Sequence, residues 1–231
     1  MSNTLAPYCM ANDNAIMLLF VINMISISYV FLMNGNSIME RVKCIFYYES
    51  KSSPFSDRTH ITRICNALLY IQSILYATII TVSHMQKFGI LKANNDAIIY
   101  IAAFALLFTC FLPLKRIIYD IVNHILFTPQ QAQEWRSLYF FTIKLLGLML
   151  APAVIALLFI PSIPLIYVDI YLTILFILHI YTLFTGLKRI IFVQECNYLD
   201  IFLYLCALEF LPTAVVLKSV LQLNEFITIK I

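Results

Sequence analysis

The chain has 231 residues, of which 62% are hydrophobic and 12% charged, with a mean hydropathy of +0.89; that charged share is roughly half that of an average soluble domain. This composition excludes an ordinary soluble enzyme, and a net charge of +3 is too small to argue for a nucleic-acid partner. Only 4 Gly are present and the apolar runs are continuous rather than alternating, so a lipid-facing β-barrel is a poor fit and an all-α, polytopic transmembrane bundle is expected.

The runs at 15–33, 64–83, 97–114, 138–160, 165–187 and 199–221 each approach the roughly 20 residues that cross the hydrocarbon core as a helix. Six spans forming one integral-membrane domain over 1–231 are therefore expected. The first run, "NAIMLLFVINMISISYVFLM", follows no basic segment and carries no small-residue cleavage pattern, so it reads as a retained span rather than a signal peptide.

The connection after it, "RVKCIFYYESKSSPFSDRTHITR", mixes bases with aromatics around a Ser-Ser-Pro turn. Phe46, Tyr47 and Tyr48 beside Lys43 and Lys51 suit either a segment touching anionic headgroups or a plain solvated loop. After span three, "LKRIIYDIVNHILF" places Asp120 and His124 one helical turn apart. They resemble half of a metal site, but no third ligand follows at a suitable spacing, so a hydrogen-bonded surface pair is expected and no metal. The next stretch, "HILFTPQQAQEWRS", reads as a helix running on from span three, with Trp135 and Arg136 marking the return at headgroup level.

Span four carries Lys144 and Pro152, and "FIPSIPLIY" makes a tight turn into span five through Pro161 and Pro164. Asp169 lies just inside that span and reads as interfacial, whereas His179 lies deep. Span six carries Glu209 and Pro212. Pro113, Pro152 and Pro212 each remove a backbone hydrogen bond and mark expected helix kinks, through packing or through carbonyls exposed to a cavity.

Basic residues concentrate on alternate connections. Arg41, Lys43, Lys51, Arg58 and Arg63, then Lys115, Arg116 and Arg136, then Lys188 and Arg189 fall on one side; Lys87, Lys92, Lys218 and Lys230 fall on the other. The positive-inside rule then puts both termini outside. "LKRII" occurs at 114–118 and at 187–191, each followed by a span containing a proline. The echo fits a parallel repeat, as in transporters, or simply the basic residues that close inward-running spans.

A charged group near mid-membrane costs about 2.5–3.5 kcal/mol on insertion scales and so seeks a partner inside the bundle. Counting from the span ends at about 1.5 Å per residue, Glu209 lies roughly 15 Å deep, Lys144 roughly 12 Å and His179 roughly 13 Å. Their shared depth suggests a buried polar cluster of Glu209, Lys144 and His179 able to bind a proton or substrate. Each also has a purely structural alternative: Lys144 snorkelling to the interface, His179 donating to a carbonyl, and Glu209 acting as a protonated interhelical anchor.

The six Cys contain no C-x-x-C pair, and no G-x-S-x-G, H-E-x-x-H, P-loop or G-x-G-x-x-G pattern occurs. No disulfide framework, zinc site, cofactor or catalytic residue is expected.

"SSPFSDRT", "FLPLKRIIYDIV", "LLGLMLAPAVI" and "YLCALEFLPTAVVLK" together resemble a Bacteroidetes family of multi-pass proteins known only as a domain of unknown function. The likeness runs from about Ser50 onward, with Leu-Glu-x-Leu-Pro around Glu209 its most specific piece. It implies the inner membrane of a Gram-negative bacterium and no activity. A second, fold-level likeness to Yip1-type membrane proteins rests on the pattern from Arg136 to Ile191. The expected function is a non-catalytic membrane component or scaffold that packs with lipid, protein partners or copies of itself. The alternative is a small proton-coupled transporter built on the Glu/Lys/His site.

Overall fold

The computed structural model describes residues 14–46, 60–87, 97–160, 163–191 and 206–230. Seven α-helices occur among them: α1 (Asn14–Phe46), α2 (His60–Lys87), α3 (Ala97–Leu126), α4 (Pro129–Met149), α5 (Ala151–Phe159), α6 (Leu165–Ile191) and α7 (Leu211–Lys230). A π-helical turn, Cys206–Phe210, leads directly into α7. No strand is present among the described residues.

Five segments are long and apolar enough to cross a membrane: Ile16–Asn36, Arg63–Lys87, Ile99–His124, Pro129–Phe159 and Leu165–Lys188. They give the molecule the character of a helical membrane protein, and much of its large apolar surface faces outward, as a lipid solvent allows. Of the expected sixth span, 199–205 fall outside the described residues, as does the 47–59 portion of the first connection.

The least apolar span, α2, is also the most enclosed, with half of it buried. Its Gln72, Ser73, Thr78 and Ser83 are buried, and Ser73 and Thr78 donate to the carbonyls of Leu69 and Ile74 one turn back, each at 2.8 Å. Polar side chains that lipid would penalise are thus held inside the bundle. The helices α1, α3 and α4 all pack on α2, and α4 packs on α6.

The close approach of α4 to α2 requires glycine. A Cβ at Gly147 would stand 1.8 Å from Ser73 Oγ and 2.9 Å from its Cα, so only a hydrogen lets the two backbones come this near.

The fourth span begins earlier than its hydropathy indicates. α3 runs on to Leu126, and only Phe127 and Thr128 separate it from α4. Pro129 supplies the helical φ at the first position, while Gln131 Oε1 accepts from the Thr128 backbone N–H at 3.1 Å and from its hydroxyl at 2.9 Å. Trp135, expected to mark the return at headgroup level, is fully buried between helices.

The three prolines act differently. Pro113 lies within an unbroken α3. Pro152 stands in the first turn of α5, just after the break at Leu150 that divides the fourth span, and Tyr171 of α6 donates to the carbonyl of Met149 at that break at 2.6 Å. Pro212 occupies the first turn of α7, immediately after the π-helical turn, where a missing N–H is best tolerated. At the turn into α6, Lys87 donates to the Ile163 carbonyl at 2.9 Å. Asp169 is about half exposed and stands 3.4 Å from His84 of α2.

Candidate functional site

The most demanding chemistry in the molecule gathers around Glu209. The π-helical turn that carries it hydrogen-bonds from residue i to i+5, a geometry that Pro212 favours, since its ring cannot donate to the ladder at Leu208. Thr213 donates its hydroxyl to the Glu209 carbonyl at 2.5 Å, one turn back.

Lys115 of α3 donates to Glu209 Oε2 at 2.7 Å. Tyr119, one turn further along α3, donates its hydroxyl to the other oxygen, Oε1. Their i, i+4 spacing puts both donors on one face of the helix. Both carboxylate oxygens are therefore engaged, and Lys115 and Glu209 are both buried.

Aromatic rings enclose the pair. The Lys115 ammonium lies 5.5 Å from the centroid of Tyr139, near enough for a cation–π attraction. Tyr139 stacks on Tyr119 at 4.3 Å, and Trp135 stands 6.3 Å from Tyr139. Leu138, Leu183, Leu187 and Leu208 complete this second core. Phe210 meets Phe176 of α6 edge to face at 6.0 Å, tying the turn to a third helix.

Of the cluster expected from sequence, His179 interacts electrostatically with both Glu209 and Lys115, without a hydrogen bond or ion pair to either among the described contacts. Lys144 goes elsewhere, donating to Asn66 Oδ1 of α2 at 2.8 Å. The charged partner of Glu209 is Lys115 in place of Lys144, although by hydropathy Lys115 falls in a basic connection beyond the end of span three.

The physical reason for the correction is helix length. α3 does not stop at 114, so a lysine counted as an aqueous charge turns inward. A signal for it exists in the sequence, because Lys115, Tyr119 and Asn123 recur every four residues and all three are buried, whereas Leu114, Ile117, Ile118 and Ile121 between them are exposed.

The neighbouring Asp120 does not act with His124, which is exposed. Its carboxylate forms an ion pair with Arg136 of α4 at 2.8 Å and lies 4.0 Å from Arg116, bracing the α3–α4 corner at its more exposed side. No group of three or more His, Cys, Asp or Glu side chains suited to a metal ion occurs among the described residues.

A family model described as domain of unknown function DUF4271 matches residues 16–220. The chain belongs to that family. The match covers the five candidate spans and the Glu209 turn of this DUF4271 protein. No curated protein and no solved structure shows significant similarity to it.

Proposed function

We propose that this DUF4271 protein is a non-catalytic component of a bacterial inner membrane, with six spans and both termini outside, that packs with lipid and with protein partners or copies of itself. The observation that carries this reading is the occupancy of Glu209. A carboxylate that receives Lys115 on one oxygen and Tyr119 on the other, inside an aromatic shell, acts as a fastener between α3 and the last helical segment. A buried carboxylate with a donor on each oxygen is costly to part from those donors, which suits a fixed tie between helices. Moving Lys115 from the aqueous tally to the interior leaves the orientation argument standing, because the remaining bases still favour the same connections.

A second reading, a small proton-coupled transporter, is favoured by one observation: His179, which interacts electrostatically with the ion pair, also lines a cleft.

The two readings separate in a strain of the source bacterium that depends on the protein, complemented with Glu209→Gln. For a fastener, any loss of growth follows loss of folded protein from the membrane, and conditions that restore its level restore growth. Normal protein level and normal folding with growth abolished would overturn the structural reading and favour transport.

A further inference from the structure

A cleft of about 350 Å³ opens between α1, α4 and α6, within the range of roughly 300–1,000 Å³ common for small-ligand sites. Phe31 and Ile38 of α1, Leu145 and Met149 of α4, and Leu175 and Leu178 of α6 give it an apolar wall. Its polar lining residues are Thr142, His179 and Thr182, and none of the lining residues is Lys, Arg, Asp or Glu.

The three polar groups differ in what they have to offer. Thr142 donates its proton to the Tyr139 carbonyl at 2.7 Å and Thr182 donates to the His179 carbonyl at 2.8 Å, leaving each hydroxyl oxygen free to accept. The imidazole of His179 is half-buried and makes no hydrogen bond with the described residues. An imidazole inside an apolar wall is unfavourable unless something meets its N–H or its ring lone pair.

Among the described residues the wall supplies no cation for a phosphate or carboxylate, because the nearby Lys115 ammonium is held by Glu209. It supplies no carboxylate for an amine. What fits is a chain of hydrocarbon ending in one neutral oxygen. We propose that this cleft binds a neutral amphiphile, a single long hydrocarbon chain bearing a hydroxyl or carbonyl oxygen that hydrogen-bonds to His179.

The ligand chemistry has two sources in a membrane. A free single-chain alcohol or ketone lipid presents that oxygen alone, whereas a phospholipid tail presents it only as an ester carbonyl at the headgroup end.

The test is photolabelling of the full chain in phosphatidylcholine vesicles with a hexadecanol that carries a mid-chain diazirine, set against a phosphatidylcholine carrying the same diazirine in one acyl chain. The proposal expects the alcohol to label peptides from α1, α4 and α6 that line the cleft, saturably and in competition with unlabelled hexadecanol. His179→Phe is expected to weaken that labelling about five- to tenfold, the worth of one lost hydrogen bond.

Gly35→Leu is expected to abolish labelling by filling the cleft. Among the described residues, a Cβ at Gly35 would meet the Phe31 side chain at 3.8 Å, an ordinary van der Waals contact, so the helix itself accommodates the change. Labelling spread over all lipid-facing helices, indifference to His179→Phe, or equally strong cleft labelling by the phosphatidylcholine would each overturn the proposal. Should a variant misfold, saturable competition on the unaltered chain decides the matter, and its absence would overturn it as well.

Discussion

Lys115 on α3 and Glu209 on the π-helical turn meet at 2.7 Å with side chains only 9% and 3% exposed. Charges desolvated to this degree are held by each other, so deleting one strands the other. Lys115→Met is expected to destabilise the fold by about 3–5 kcal/mol. Tyr119→Phe, which removes one hydrogen bond to a charged oxygen and little volume, is expected to lose about 1.5–3 kcal/mol. Thermal unfolding in detergent, followed by circular dichroism, checks the ranking; a smaller effect for Lys115→Met than for Tyr119→Phe would contradict it.

Gly147 of α4 stands directly against Ser73 of α2. A methyl group there overlaps the serine side chain and its Cα, so Gly147→Ala is expected to destabilise by about 1–3 kcal/mol through overpacking. Because the overlap reaches Ser73 Oγ at 1.8 Å and Cβ at 2.5 Å, Ser73→Ala is expected to give little relief and Ser73→Gly a partial rescue. The opposite order, or full rescue by Ser73→Ala, would show that the contact does not set the spacing. At Gly186 the nearest obstacle is the flexible end of Leu138, at 2.8 Å, and Gly186→Ala is expected to be better tolerated.

Trp135 distinguishes a core position from a headgroup anchor. Fully buried against Tyr119, Tyr139 and their leucine neighbours, it is expected to lose about 3–5 kcal/mol as Trp135→Ala. Its fluorescence is expected to resist quenching by aqueous iodide in the folded protein. A solvent-facing tryptophan would show strong quenching, with a substitution effect within about 0.5 kcal/mol.

The helical, membrane-spanning character of the chain is plain in its sequence because lipid solvation imposes continuous apolar runs, and five of the expected runs coincide with long apolar helices. Helix ends are harder to read. Hydropathy falls at Leu114, yet α3 continues for three further turns through Lys115, Tyr119 and Asn123, since their polar side chains turn to the interior where partners await them. The burial of Trp135 is equally hard to read, because it depends on which way the helix faces.

Glu209 declares itself as a charge in need of a partner, but choosing among Lys115, Lys144 and His179 depends on helix rotation. Depth along each span carries no information on rotation. The π-helical turn adds to the difficulty, because it re-aims Glu209 relative to a regular helix.

Lys115 and Glu209 act as one structural unit joining α3 to the last helical segment. A double-mutant cycle of Lys115→Met, Glu209→Gln and the two combined, read as unfolding free energy in detergent micelles, tests it most directly. The account predicts that the double variant is more stable than the sum of the single losses implies, with a coupling of about 2–3 kcal/mol, the upper part of the range for residues in direct contact. Single losses that simply add, within about 0.5 kcal/mol, would contradict it and leave Glu209 without the partner that its burial demands.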